Sequence, residues 1–276
     1  GSKWPDCPPL DEVYTAARAA FPDLKLGGGM MSYFTELNRK RAPADTLDFI
    51  THATNPIVHS ADDISVMQTL EALPFITRSV RAIYGSRPYH IGPSTIAMRQ
   101  NPYGSATKPN PDLQRMPMAN RDPRHNGLFG AAWIAGFAAQ VTDARPAMLT
   151  LSAATGPFGL MSGPGEPVAE RGMRPSFHVI KWLAAHAGWQ VAQCHSSDGA
   201  RAVCMLATSP AGKRVAMIAN LTVEPIKVEM KGLGFGMQDV LTVLDAHNLS
   251  PTSQKLNAGP LALDAFAVAF LAGDTR

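Results

Sequence analysis

Glu36, His59 and Asp62 are the residues of this 276-residue chain whose types and spacing best suit proton transfer. Glu36 falls among Tyr33, Phe34 and Leu37. An apolar surround is where a carboxyl group gives or takes a proton near neutral pH. The same Glu would also serve as a surface residue opening a helix. His59 and Asp62 stand three apart, and an imidazole beside a carboxylate is a usable acid/base pair. Asp62 could equally do no more than cap the helix that follows. Asn38 and Asn55 are the candidate hydrogen-bond partners for substrate hydroxyls, and Arg99 for a carboxylate or carbonyl oxygen. Arg121, Arg124 and His125 are weaker substrate-contact candidates, and His90 reads as structural. Two carboxylates flanking a glycosidic bond would be the other chemistry to consider, and would need a partner acid for Glu36.

These residues lie just past two apolar runs. Leu24-Lys25-Leu26-Gly27-Gly28-Gly29 precedes Glu36, and the run at 46–54 precedes His59. Both read as strands, predicted at 24–29 and 46–54. Helical patterns at 11–21 and from Asp62 to about Tyr84 flank them, and Pro74 predicts a kink or break in the second. Strands predicted at 89–98 and 147–153 and helices at 126–144 and 176–187 continue the alternation. The irregular stretch 101–124 reads as a functional lid. Alternating strands and helices with polar clusters at strand ends are the grammar of a β/α barrel. Only four such units are present, where a closed barrel needs eight. The other half must come from an upstream segment or a second copy of the chain, or the sheet must be covered in another way.

Beyond residue 188 the period changes to short strands at 189–194, 202–208, 214–220, 226–231, 240–245 and 266–272. The expected fold is therefore α/β: a partial (β/α)8 TIM barrel over 1–188, then a small C-terminal β-sandwich over 189–276.

A net charge of +3 and scattered basic residues give no stripe for nucleic acid. No run is long and apolar enough for a spanning helix, so no membrane partner is expected. Cys7, Cys194 and Cys204 lack metal-site spacing, and their odd number argues against a disulfide framework. They suit a reducing compartment, hence a cytoplasmic location. No metal or other cofactor is called for. Gly1-Ser2 reads as a cloning remnant, so the natural start lies open.

The motifs Gly27-Gly28-Gly29 with Tyr33-Phe34-Thr35-Glu36-Leu37-Asn38-Arg39, and Asn55-Pro56-Ile57-Val58-His59-Ser60-Ala61-Asp62, resemble segments of the D-apionate lactonase family. The resemblance runs over most of 10–188 and includes the Trp133 helix, Thr155-Gly156 and Pro175-Ser176-Phe177-His178-Val179. It implies a glycoside-hydrolase-like barrel, here its later half plus the β tail, that opens a five-membered sugar lactone with water. In that reading Glu36, His59 and Asp62 are catalytic, and Asn38, Asn55 and Arg99 bind substrate. The chain departs from the family pattern at Ala153-Ala154-Thr155-Gly156, where an acid precedes Thr-Thr-Gly. That departure leaves room for a glycosidase-like enzyme or a non-catalytic carbohydrate-binding fragment.

Overall fold

The computed structural model describes residues 10–164, 166 and 172–273; Cys7 and the Gly1-Ser2 start lie outside them. Strands β1 (Gly27–Tyr33), β2 (Phe49–Ala53), β3 (Tyr89–Ile91) and β4 (Met148–Leu149) form one parallel sheet in that order. Parallel neighbours require crossovers. Helix α1 (Leu10–Ala20) precedes β1, and α2 (Phe34–Arg39) follows it. Helices α3 (Asp63–Gln68) and α4 (Leu73–Tyr84) link β2 to β3, α5 (Leu128–Gln140) links β3 to β4, and α6 (Ser176–Ala185) follows β4. Four consecutive units in sequential order make one half of a barrel wall.

All four barrel strands differ from their predicted spans, the second being the shorter Phe49–Ala53 because Thr46 lies in a 3-10 turn before it. The first begins at Gly27 and runs on to Tyr33, with Leu24 exposed before it. Its glycines sit inside the ladder because β1 is pressed against β2. A Cβ at Gly27 would enter the Phe49 ring, one at Gly28 would meet Leu47 and Tyr14, and one at Gly29 would strike the Thr51 carbonyl. The third strand stops at Ile91, since Pro93 has no N–H to donate. The fourth is regular only over Met148–Leu149, although Thr150 still exchanges backbone bonds with Ile91 and Ser94. The predicted break at Pro74 is present: a 3-10 turn, Thr69–Ala72, separates α3 from α4, whose first turn holds the proline. Gly85, at φ 64°, ends α4.

The tail contains β5 (Gln190–Gln193), β6 (Ala202–Thr208), β7 (Arg214–Asn220), β8 (Ile226–Val228), β9 (Val240–Leu244), β10 (Ser253–Lys255), β11 (Leu261–Leu263) and β12 (Val268–Ala272). Two of these, β10 and β11, escaped prediction, because three residues are too few for a period to register. A six-stranded sheet runs β10-β9-β12-β7-β6-β5, and β11 pairs with β8 across from it. The alternation of β7 explains how the lobes join. Met217 and Ala219 face the core shared with α5, while Ala216 and Ile218 face the β8–β11 pair. Helix α5 is apolar on every side, as a helix enclosed between two sheets must be.

Candidate active site

The site begins with a register irregularity. Between Met30 and Tyr33 the β1–β2 ladder slips, and Tyr33 comes to lie opposite Ala53. A bulge at a strand end re-aims the side chains that follow it. Here it turns the chain into α2 beside the C-terminal end of β2. The two ends enclose a cavity of about 460 Å³ lined by residues that include Tyr33, Glu36, Asn55, His59, Ser60 and Tyr103.

Glu36 is in the first turn of α2, where a negative charge suits the helix dipole. Its carboxylate accepts a hydrogen bond from Arg39 at 2.7 Å, and its side chain is 21% exposed. Among the described residues lining the cavity, Glu36 is the only carboxylate. His59 stands exposed on the loop after β2, its Nε2 3.4 Å from the Tyr103 hydroxyl. Tyr103 is carried in by the irregular 101–124 stretch, which Met118 ties back to Ile57. Of the expected lid, then, Tyr103 and Pro102 reach the cavity.

Asp62 lies close in sequence to His59, but its carboxylate is occupied elsewhere. It accepts from the Ser60 hydroxyl at 2.6 Å and from the Ser65 amide at 2.8 Å, capping α3. Those bonds hold it well below the usual carboxylate range. Asn55 lines the cavity with its amide already spent: it donates to the carbonyls of Thr95, Ile96 and Ala97 and accepts from the Ile57 amide. Asn38 is exposed and accepts from Arg41. Arg99 lies within electrostatic reach of Tyr33 and over the Phe158 ring. Burial draws its guanidinium down, with Tyr33 opposing. Burial also pushes the Tyr33 hydroxyl up to about 12, against the pull of Arg99, and that hydroxyl donates to the Gln100 carbonyl.

Beneath the cavity lies His52, buried next to Phe34. Its Nδ1 bonds the Ala53 carbonyl, which can only accept, so Nε2 of the neutral ring accepts from the Tyr89 hydroxyl at 2.6 Å. Burial lowers its pKa to about 4. His90 stacks on Phe49.

The other charged candidates are structural. Arg124 donates to both Asp122 carboxylate oxygens and to the Ala61 carbonyl, and His125 Nε2 accepts from the Ala97 amide. Arg121 pairs with Glu166, which also pairs with the fully buried Arg174. Burial opposes ionisation of Glu166, but the hydrogen bonds from Arg174 and Arg121 outweigh it and hold the carboxyl below its usual range. At the end of β4, Ala153 brings no acid. The sequence reading overlooked Tyr103 and Tyr33. Tyr103 gave no local signal, because only the loop's path brings it to His59.

Polar groups at the C-terminal ends of adjacent parallel strands are where a β/α barrel keeps its site. Solved structures carry the same fold: a GH30 endoxylanase from Clostridium papyrosolvens (TM-score 0.57, 11% identity) and a GH51 arabinofuranosidase from Xanthomonas axonopodis (TM-score 0.59, 10% identity). The match covers 99% and 95% of this chain, and 62% of each of theirs. The fold is thus a TIM-barrel portion followed by a β domain. Within that class, residues 1–188 match the D-apionate lactonase TIM barrel domain and residues 199–271 its C-terminal immunoglobulin-like domain. The chain belongs to the D-apionate lactonase family. It is 55% identical over 239 residues to a D-apionate lactonase of Brucella anthropi, covering 83% of this chain and 39% of that protein.

Proposed function

We propose that this chain carries part of the site of a lactonase that opens a small five-membered sugar lactone, D-apionate lactone being the first to try. One observation carries the reading: Glu36 and His59, from the ends of neighbouring strands, line one cavity in which Glu36 is the only carboxylate among the described lining residues. Glu36 acts as general base, taking a proton from water as it attacks the lactone carbonyl. His59, with Tyr103 at its Nε2, supplies the proton to the departing ring oxygen. Asp62 holds Ser60 and thereby the loop that carries His59. Asn55 keeps the cavity wall in place, Arg99 steadies negative charge near the mouth, and Asn38 meets substrate only at its outer edge. No step calls for a metal or other cofactor.

In this reading the barrel portion is 1–188 and the β domain 189–276, and the protein works in cytoplasmic carbohydrate metabolism, where free Cys194 and Cys204 are at home. Strands β1 and β4 are the outer strands of the parallel sheet. An upstream half-barrel or a second copy covers them, and small-angle scattering of the purified protein distinguishes the two by mass and shape. The decisive assay is lactone hydrolysis by the protein and its Glu36→Gln variant. Undiminished turnover in the variant would remove Glu36 from the mechanism.

A further inference from the structure

Strands β5 and β6 run antiparallel in register from Gln190↔Thr208 to Gln193↔Met205. One step beyond the last paired residues sets Cys194 opposite Cys204, where each thiol perturbs the other's titration; the Cys194 Sγ also lies 4.0 Å from the Ala192 carbonyl oxygen. Directly opposed residues of antiparallel strands have Cα atoms about 4.5–5.5 Å apart. That lies inside the roughly 4.4–6.8 Å that a disulfide spans. Both cysteines are free, and both are partly exposed. Strand β5 is the outermost of its sheet, so the pair sits at an edge a small oxidant can reach.

The two thiols are unlike. Interaction with Cys204 draws the Cys194 thiol down to about 7, against the effect of burial. The same interaction, with burial, pushes Cys204 up. Cys194 is therefore the attacking thiolate and Cys204 the resolving thiol.

We propose that Cys194 and Cys204 form a hydroperoxide-sensitive dithiol that closes reversibly to a cross-strand disulfide. The Cys194 thiolate attacks one peroxide oxygen, the O–O bond breaks, and hydroxide leaves, giving a sulfenic acid. The Cys204 sulfur then attacks the Cys194 sulfur and expels the second hydroxide. The protons of the two thiols convert both hydroxides to water. Two thiols and one peroxide become one disulfide and two waters, with two electrons passing from sulfur to oxygen. Closure pins β5 to β6. Residues of those two strands, Val191 and Met205, line an apolar groove of about 850 Å³ whose other walls include Met148, Leu151 and Leu183. The switch thus stiffens one wall of the junction between the lobes.

The test is oxidation of the full chain by stoichiometric hydrogen peroxide, followed by tryptic mapping without reduction. The expected product links peptide 182–201 to peptide 202–213, is reversed by dithiothreitol, and melts roughly 5 °C higher than the reduced protein. The Cys204→Ser variant, checked for folding by circular dichroism, stops at a sulfenic acid on Cys194 that dimedone traps. Sulfinic or sulfonic acid on Cys194 with Cys204 still free, a bridge to Cys7 or to a second molecule, no reaction, or no dimedone adduct in the variant would each overturn the proposal.

Discussion

The cavity at the ends of β1 and β2 and the cluster around Arg124 draw on the same residue types, an acid, an arginine and a histidine, and put them to opposite uses. At Asp122–Arg124–His125 the guanidinium is spent on both Asp122 oxygens, one Asp63 oxygen and the Ala61 carbonyl, and the imidazole accepts a backbone amide. These groups are sealed and fully employed. At the cavity Glu36 is partly exposed with Arg39 beside it, and among the described residues His59 meets Tyr103 at a long 3.4 Å. Polar atoms left without fixed partners at an accessible surface are free to act on a substrate, whereas satisfied and buried ones hold the fold. Residue type does not separate the two cases; the state of the hydrogen bonds does.

The comparison breaks first at Glu36. Glu36→Gln is expected to cut lactone hydrolysis by roughly 10²–10⁴-fold, with melting nearly unchanged because its ion pair is partly solvated. A matching loss of stability would class Glu36 with the buried cluster. Arg124→Met should do the reverse. It strands the fully buried Asp122 and is expected to cost about 3–5 kcal/mol in denaturant unfolding. The buried histidines give a third contrast. His52 and His125 have pKa values lowered to about 4 by burial, while a histidine in the unfolded chain titrates near pH 6.5. Below that pH the unfolded chain takes up protons that the folded one excludes. Their stabilising contribution is complete above about pH 6.5 and is lost as pH falls towards 4, by up to about 3 kcal/mol each. Unfolding followed across that window in the wild type and in His52→Gln should show the slope reduced in the variant. Tyr103→Phe tests the smallest effect. Removing one hydroxyl at 3.4 Å from His59 should slow hydrolysis by about 5-fold or less, without moving the melting temperature.

Much of the frame was legible because it follows from short-range rules. Asp62 reads as a cap and serves as one, Pro74 marks a break in the helix, and Gly85 stops it. The spans of β6 and β7 match their predictions because both are continuous apolar runs bounded by turns, β7 being buried on both faces and β6 only partly. The site was legible in part. The strand-end rule put Glu36 and His59 beside each other, as the shared cavity has them. It could not tell that Asn55 would spend its amide on the 95–97 carbonyls, that Asp62 would turn to Ser60 and Ser65, or that Arg124 and His125 would be buried. Each of those outcomes depends on a partner distant in sequence or on which of several nearby donors the turn favours.

By itself, the sequence determined the order of strands and helices, the change of period near residue 188, and the polar clusters at two strand ends, since propensity, periodicity and capping act over a few residues. Only the tertiary structure decided which polar groups stay free. The bulge before Tyr33, the close approach of β1 to β2 that its glycines permit, and the path of the loop bearing Tyr103 are set by packing between segments far apart in the chain. Burial and hydrogen-bond satisfaction, which separate a reactive side chain from a structural one, exist only once those segments have met.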